Sequence, residues 1–159
     1  MSLQAGDVVG VVGAGQMGNG IAQVAASFGL SVIMMDVSAS ALEKGMSTIS
    51  SSCDRLIKKG TMTEEQKKTL LSKIQTVENM QGLKNADIVI EAATENVDLK
   101  LKIFRELDEI CAAHCILASN TSSISITKIG AVTKRPDKVI GMHFMNPVPV
   151  MKLVEIIRG

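Results

Sequence analysis

Residues 8–36 constrain the fold of this chain more than any other stretch. Residues 8–12 form a short apolar, β-branched run typical of a buried strand, and residues 13–18 (Gly-Ala-Gly-Gln-Met-Gly) complete a G-x-G-x-x-G pattern. Apolar residues then recur at helical spacing up to Phe28, and Gly29 is a typical helix stop. A second apolar strand over 32–35 ends in Asp36. This order predicts a strand–helix–strand unit built around a ligand.

Each part of this unit has its own chemical reason. Gly13 permits a tight strand-to-helix turn, Gly15 lets a pyrophosphate approach the backbone, and Gly18 lets the helix pack close to the strand. The helix N-terminus offers N–H groups and a partial positive charge to phosphates. Asp36 can accept hydrogen bonds from ribose hydroxyls and would repel a 2′-phosphate, which favours NAD over NADP. The predicted cofactor contacts here are Gly13, Gly15, Gln16, Met17, Gly18 and Asp36. The alternative is a glycine turn without a ligand, which the flanking strand, helix and acid disfavour.

Composition narrows the class of protein. Apolar residues make up 46% of the 159 residues but aromatic ones only 2%, so we expect a core of aliphatic side chains and methionine. The 17 basic and 16 acidic residues nearly cancel, which argues against nucleic acid or an anionic membrane as the main partner. No apolar run approaches the ~20 residues of a membrane span, and no signal-peptide pattern opens the chain. We therefore expect a cytoplasmic protein.

The cysteines predict neither a disulfide framework nor a metal site. There are three, an odd number, and Cys111 and Cys115 flank His114. A metal site is one interpretation of this cluster. Because no other Cys or His lies near it in sequence, we favour reduced thiols at a helix end and predict no bound metal.

The remaining chain alternates between helical and strand patterns. Residues 38–73 predict two successive helices, for which Ser40 with Glu43 and Thr63 with Gln66 are candidate capping boxes, and we expect the pair to project as an arm beside the sheet. Strands are predicted at 74–77, 87–93, 116–118, 139–143 and 151–157, and helices at 97–111 and 124–132. This alternation predicts one α/β domain over residues 1–159. It has a doubly wound, mainly parallel sheet of the Rossmann type, with a helical-pair insertion after the second strand.

Polar residues suited to catalysis lie in the second half of the chain. Ligands of such sheets bind beyond the carboxyl ends of the strands, where Ser122, His143 and Asn146 are expected, and Glu155 follows on the last predicted strand. An imidazole, with a pKa of about 6.5, is suited to take a proton from an alcohol, and a carboxylate behind it would fix its tautomer. The alternative is a structural histidine at a strand end with an unrelated edge carboxylate.

Two runs in this half resemble a known family. Residues 119–123 (Ser-Asn-Thr-Ser-Ser) and 141–155 (Gly-Met-His-Phe-Met-Asn-Pro-Val-Pro-Val-Met-Lys-Leu-Val-Glu) resemble the signature of the L-3-hydroxyacyl-CoA dehydrogenases, including the short-chain 3-hydroxybutyryl-CoA enzymes. The resemblance implies NAD-dependent interconversion of an L-3-hydroxyacyl-CoA and a 3-ketoacyl-CoA in fatty-acid β-oxidation. It implies that His143 is the base, Glu155 its orienting partner, Ser122 the hydrogen-bond partner of the substrate 3-oxygen, and Asn146 a supporting residue that also contacts NAD. A Rossmann dehydrogenase of sugar acids is disfavoured by the His-Phe-Met-Asn-Pro run.

The same resemblance extends to other positions and to partners. Residues 91–96 resemble the family's nicotinamide-side loop, so Glu95 and Lys100 are implied cofactor contacts, while Ser52 and Lys59 match CoA-contacting positions on a looser motif. Family members continue into an all-helical domain that closes over the substrate and makes most of the dimer contact, and this chain ends at Gly159 without it. We therefore expect an acyl-CoA substrate and a homodimer. A second hypothesis stays open, in which the chain binds NAD(H) but does not turn over substrate without its helical partner domain.

Overall fold

The computed structural model describes residues 7–93, 96–119, 123–142 and 156–158. Two short 3₁₀ turns, Met80–Leu83 and Pro136–Lys138, supplement the regular elements. These elements are, in chain order, β1 (Val8–Val12), α1 (Gln16–Ser27), β2 (Ser31–Met35), α2 (Ala39–Lys58), α3 (Glu64–Ser72), β3 (Ile74–Val77), β4 (Ile88–Glu91), α4 (Val97–Ile110), β5 (Ile116–Ser119), α5 (Ser123–Ala131), β6 (Val139–Met142) and β7 (Ile156–Arg158).

The strands form one seven-stranded sheet in the order β3-β2-β1-β4-β5-β6-β7. Every pair from β3 to β6 is parallel, and β7 alone runs antiparallel, against β6. Because successive connections carry the chain outward from β1 in one direction and then from β4 in the other, the sheet is doubly wound. The predicted α/β class and mainly parallel sheet are confirmed.

The core consists of two apolar layers, one on each face of the sheet. Successive side chains of a strand point to opposite faces, so neighbouring residues of the central strands join different layers. Val11 packs with α1, α2 and α3 in one layer, whereas Val89 packs with Phe104 and Leu107 of α4 in the other. This arrangement holds α1 and α4 against opposite faces of β1 and β4, at the centre of the sheet.

Of the two inserted helices, the first starts differently from the prediction and the second starts as predicted. The Ser38 hydroxyl accepts a hydrogen bond from the backbone N–H of Ala41 at 3.2 Å and caps α2, so the predicted Ser40–Glu43 capping box is wrong. The Thr63–Gln66 capping box of α3 is confirmed by its two reciprocal hydrogen bonds, of 2.9 and 3.1 Å.

The pair does not project as a free arm. Ile49 and Cys53 of α2 and Leu70 of α3 are buried in the same layer as the apolar face of α1. An arm would leave these apolar stripes in water, and packing against α1 removes them from it. The insertion therefore thickens one face of the sheet next to the first helix.

Candidate dinucleotide and substrate site

The centre of the sheet offers a crevice at the carboxyl ends of its strands. β1 and β4 are neighbours there, and the helices that follow them, α1 and α4, belong to opposite layers of the core. A crevice at such a reversal of strand order is where doubly wound proteins bind their ligands. The residues that leave β1 and β4 are therefore the first candidates for a binding site.

The three glycines after β1 have distinct spatial roles. Gly13 has φ +105°, and a Cβ there would approach the Cα of Ala93 to 2.9 Å, so both conformation and space require glycine. A Cβ on Gly18 would overlap the carbonyl oxygen of Gly13, so the close approach of α1 depends on its absence. Gly15 is exposed and a Cβ there would meet nothing within 4 Å. No contact with the described residues explains the glycine at 15, whereas a bound pyrophosphate would.

The first turn of α1 is suited to an anion. Gly15 is the N-cap and makes no side-chain capping bond, and no acidic residue occupies the first turn. An uncapped helix N-terminus presents backbone N–H groups and the positive end of the helix dipole. Gln16 is exposed and Met17 half-buried in this turn, as expected of residues that line a phosphate site.

Asp36 lies beside the glycine turn, at the end of β2. Its carboxylate accepts hydrogen bonds from the backbone N–H groups of Ala14 and Ser38, both at 3.0 Å, and remains partly exposed. Val37 next to it is 81% exposed. An acceptor for ribose hydroxyls and an apolar surface thus lie at one end of the anion site. Together with the open space at Gly15, these residues fit an NAD molecule.

A buried polar cluster lies at the carboxyl ends of β4 and β5. The Glu91 carboxylate accepts hydrogen bonds from the Lys100 ammonium, the Ser119 hydroxyl and the backbone N–H of Ala93, each at 2.8 Å. Glu91 and Ser119 are 0% exposed and Lys100 is 2% exposed. The sequence patterns predict no individual role for Glu91 or Ser119. The available signal was an acid at the end of a buried strand with a lysine in the first turn of the following helix.

Lys100 is thus found inside this cluster. The described partners of its ammonium are Glu91 and Ser119, the latter at 3.4 Å. Its direct contact with the cofactor stays a prediction. Glu95, the other predicted contact of this loop, lies outside the described residues.

The two predicted CoA contacts occupy different environments on α2. Ser52 is buried, and its hydroxyl accepts a hydrogen bond from the Gln23 side-chain amide at 3.0 Å, which ties α2 to α1. Lys59 is the exposed C-cap of the same helix. Only Lys59 presents its polar group to solvent, and the roles of both residues stay predictions.

The four predicted catalytic residues, Ser122, His143, Asn146 and Glu155, lie outside the described residues. The described residues nearest to three of them are ends of strands. β5 ends at Ser119, β6 ends at Met142, and β7 begins at Ile156. β5 pairs in parallel with β4, and β6 pairs in parallel with β5, so their carboxyl ends lie on the same edge of the sheet as the glycine turn.

The cysteines and His114 lie away from this edge. All three cysteines are free and buried, and the His114 ring is 2.8 Å from the Asp87 carboxylate, beside the start of β4. The pKa of the Cys115 thiol is raised mainly by its hydrogen bond with Cys111, and burial of the thiol raises it further. No group of three or more His, Cys, Asp or Glu residues in the described part of the chain could hold a metal ion. None of the described helices combines the length and apolarity needed to cross a bilayer.

The doubly wound sheet, the glycine turn and Asp36 define the class: a dinucleotide-binding domain of the Rossmann type. Residues 8–159 match the family model described as "3-hydroxyacyl-CoA dehydrogenase, NAD binding domain". The chain therefore belongs to the 3-hydroxyacyl-CoA dehydrogenase family and corresponds to its NAD-binding domain, which confirms the recognised family and the predicted cofactor.

Relatives of known name support this assignment. The chain is 54% identical over 149 residues to a probable 3-hydroxybutyryl-CoA dehydrogenase of Bacillus subtilis, covering 94% of this chain and 52% of that protein. It is 53% identical over 151 residues to the 3-hydroxybutyryl-CoA dehydrogenase of Bradyrhizobium diazoefficiens, covering 95% and 52%. The crystal structure of (S)-3-hydroxybutyryl-CoA dehydrogenase from Ralstonia eutropha superposes with a TM-score of 0.91 at 59% identity, covering 96% of this chain and 54% of that one. The chain spans about half the length of the relatives that it matches.

Proposed function

We propose that this chain is the NAD-binding half of an oxidoreductase that interconverts L-3-hydroxyacyl-CoA and 3-ketoacyl-CoA by hydride transfer. The substrate we favour is the short-chain 3-hydroxybutyryl-CoA, because relatives at 53–54% identity carry that name. In this proposal His143 is the general base and Glu155 orients it. Ser122 hydrogen-bonds the substrate 3-oxygen, and Asn146 supports the site and the cofactor.

The observation that carries the proposal is the pairing of β6 with β7. The two strands are antiparallel, with Met142 opposite Ile156. In the sequence, His143 follows Met142 directly and Glu155 directly precedes Ile156. Continuing the same register by one residue would bring these two opposite each other. Opposite side chains of an antiparallel pair have Cβ atoms about 4.5–5.5 Å apart, within reach of an imidazole–carboxylate hydrogen bond.

Such a pair suits the chemistry of alcohol oxidation. When bound, NAD supplies the nicotinamide that accepts a hydride from the substrate carbon. The side chain of His143 would take the proton of the 3-hydroxyl, and the Glu155 carboxylate would stabilise the resulting imidazolium and fix the ring orientation. A hydrogen bond from Ser122 would hold the 3-oxygen against the base. In the reverse direction the imidazolium would return its proton to the 3-keto oxygen.

The acyl-CoA would extend towards the helical insertion. Lys58 and Lys59 are both exposed at the C-terminal end of α2, and their ammonium groups could attract the phosphates of CoA. Ser52, buried against Gln23, would contact CoA only if the α1–α2 interface opened. Lys59 is thus the better supported of the two predicted CoA contacts. We also propose that the protein is a cytoplasmic homodimer.

A second candidate function is binding of NAD(H) without turnover. The supporting observations are that the chain spans about half the length of its relatives and that its residues 8–159 match an NAD-binding domain model. Residues supplied by the remaining half would then be needed to enclose the substrate. This candidate predicts NADH affinity with no hydride transfer.

Oxidation of NADH by acetoacetyl-CoA tests both candidates when this 159-residue chain is compared with a chain that continues past Gly159. We expect both chains to bind NADH in fluorescence titrations and the longer chain to oxidise it. Turnover by the short chain would exclude the binding-only candidate. A longer chain that binds NADH but leaves acetoacetyl-CoA unreduced would contradict the proposed reaction.

A further inference from the structure

In the buried cluster of Glu91, Lys100 and Ser119, only Lys100 has a role so far, as a predicted cofactor contact, and none has been given to Glu91 or Ser119. Its geometry joins three elements: Glu91 is the last residue of β4, Lys100 lies in the first turns of α4, and Ser119 is the last residue of β5. A single carboxylate thus links the carboxyl ends of two central strands and the start of the helix between them.

Stability does not explain this arrangement. Removing two charges from water costs several kcal/mol per ion, and apolar replacements of buried ion pairs are often neutral or stabilising. The positive charge of Lys100 also lies near the N-terminus of α4, where the helix dipole disfavours a cation. The charged pair Lys67–Asp54, in contrast, joins α2 and α3 with its aspartate side chain 59% exposed, and no such cost applies to it.

The cluster is fixed to the glycine turn through Ala93. The Glu91 carboxylate accepts a hydrogen bond from the Ala93 N–H, and the Ala93 Cα lies 2.9 Å from where a Cβ on Gly13 would be. The backbone after β4 therefore packs closely against the glycine turn, with no room between them for a Cβ on residue 13. The Glu91 carboxylate holds this backbone through the hydrogen bond from the Ala93 N–H. Hydrogen bonds from Lys100 and Ser119 in turn hold the carboxylate.

We propose that Glu91, Lys100 and Ser119 form a positioning unit for the nicotinamide half of the dinucleotide. The two halves of a doubly wound sheet each bind one mononucleotide, and β4 and β5 belong to the half that does not carry the glycine turn. The unit acts through the backbone that it fixes, and Lys100 needs no direct contact with the cofactor. This inference rests on the NAD site alone and not on the proposed hydroxyacyl reaction.

The test compares NADH with ADP-ribose, which has the adenosine and pyrophosphate but no nicotinamide. The variant is the double substitution Glu91→Gln with Lys100→Met, because it removes both charges and leaves no unpaired buried ion. We expect its NADH affinity to fall about tenfold or more, because the backbone of Ala93 is held less firmly without the charged carboxylate. ADP-ribose affinity should stay within about twofold, because the glycine turn and Asp36 are untouched.

The matched control is Asp54→Asn with Lys67→Met, which removes the same two charges from the exposed pair and should change neither affinity. Unchanged NADH affinity in the Glu91/Lys100 variant would overturn the proposal. So would an equal loss for both ligands, which is the result of a purely structural role. If the double variant does not fold, the affinities for NADH and ADP-ribose are measured in Ser119→Ala, which removes one hydroxyl and no charge. A selective loss for NADH supports the unit, and equal or no loss rejects it.

Discussion

The carboxylate of Asp36 has two tasks in this site. It accepts hydrogen bonds from the N–H groups of Ala14 in the glycine turn and Ser38 at the start of α2, and it is also the predicted acceptor for the ribose. The residue predicted to select NAD therefore also holds the turn against β2. A substitution at this position should change both the choice of cofactor and the stability of the loop.

We expect the unmodified chain to bind NADH much more tightly than NADPH, and Asp36→Ala to narrow that difference by weakening NADH binding. The variant should also lose about 1–2 kcal/mol of unfolding free energy, because two partly exposed hydrogen bonds to a charged group disappear. Fluorescence titration with both cofactors and chemical unfolding measure the two effects. Glu43→Ala, at an exposed carboxylate on α2, is the control. Equal NADH and NADPH affinities in the unmodified chain would contradict the role of Asp36.

Asp87 contributes a pH-dependent part of the stability. The pKa of Asp87 lies below its ordinary value of 3.8. The hydrogen bond from the Val8 N–H is the larger cause, and the hydrogen bond with the His114 side chain is the second. Because the folded state holds the carboxylate ionised, this stabilisation is present above about pH 4 and is lost as the pH falls through the folded-state pKa.

Urea unfolding at about pH 5 and pH 3 should therefore show an acid-induced loss of stability that is smaller in Asp87→Asn than in the unmodified chain. The same substitution at Asp137, an exposed residue with no comparable hydrogen bonds among those described, should leave the loss unchanged. An identical loss in the Asp87→Asn variant would show that this carboxylate does not couple stability to pH.

Among the elements, two glycines of one turn should respond differently to substitution by alanine, one by a loss of stability and the other by a loss of NADH binding. Gly18→Ala forces a Cβ into the Gly13 carbonyl and should lower the melting temperature markedly, because α1 must move away from β1. Gly15→Ala meets no atom of the described residues within 4 Å and should barely change the melting temperature, while its methyl group occupies the room expected for the pyrophosphate. We expect Gly15→Ala to weaken NADH binding about tenfold or more, from lost close contacts with the backbone N–H groups. A Gly15→Ala variant with full NADH affinity would contradict the phosphate site.

The elements themselves could be predicted from local patterns. The glycine turn, the strand–helix alternation and the Thr63 capping box depend on residues close in sequence, and all are present. The packing of the helical pair on α1 could not be predicted from the sequence, because an apolar stripe indicates that a helix face is buried but not which element covers it. For the same reason the burial of Ser52 was missed.

Long-range polar contacts were also beyond the sequence. The guanidinium of Arg135 donates hydrogen bonds to four backbone carbonyls of residues 108, 111, 112 and 115 and to the Asp108 carboxylate, and so satisfies the C-terminal end of α4. In the sequence this residue is one basic side chain in a loop before a proline. The Glu91 cluster is similar, since its partners come from three elements.

At the scale of the whole molecule, apolar side chains are exposed at the crevice edge. Val97 and Leu99 at the start of α4 are 38% and 45% exposed, and Val37 after β2 is 81% exposed. Apolar groups collected at one edge favour association. We expect the 159-residue chain to self-associate, with light scattering giving a mass that rises with concentration. Leu99→Glu should lower that mass, and Phe28→Glu, at an exposed residue distant from this edge, is the control. A monomeric mass over a wide concentration range would rule out this association.

We propose that a His143–Glu155 pair moves the substrate proton, and single-turnover reduction of acetoacetyl-CoA by NADH is the measurement that tests this proposal. The measurement uses a chain that continues past Gly159, with NADH titration and thermal melting of the same samples. We predict that His143→Gln slows hydride transfer by about 10²–10⁴-fold with NADH affinity nearly unchanged, and that Glu155→Gln slows it less, because the imidazole remains. If His143→Gln instead lowers stability and NADH affinity together, and transfer per folded molecule stays the same, His143 is a structural residue and the claim is contradicted.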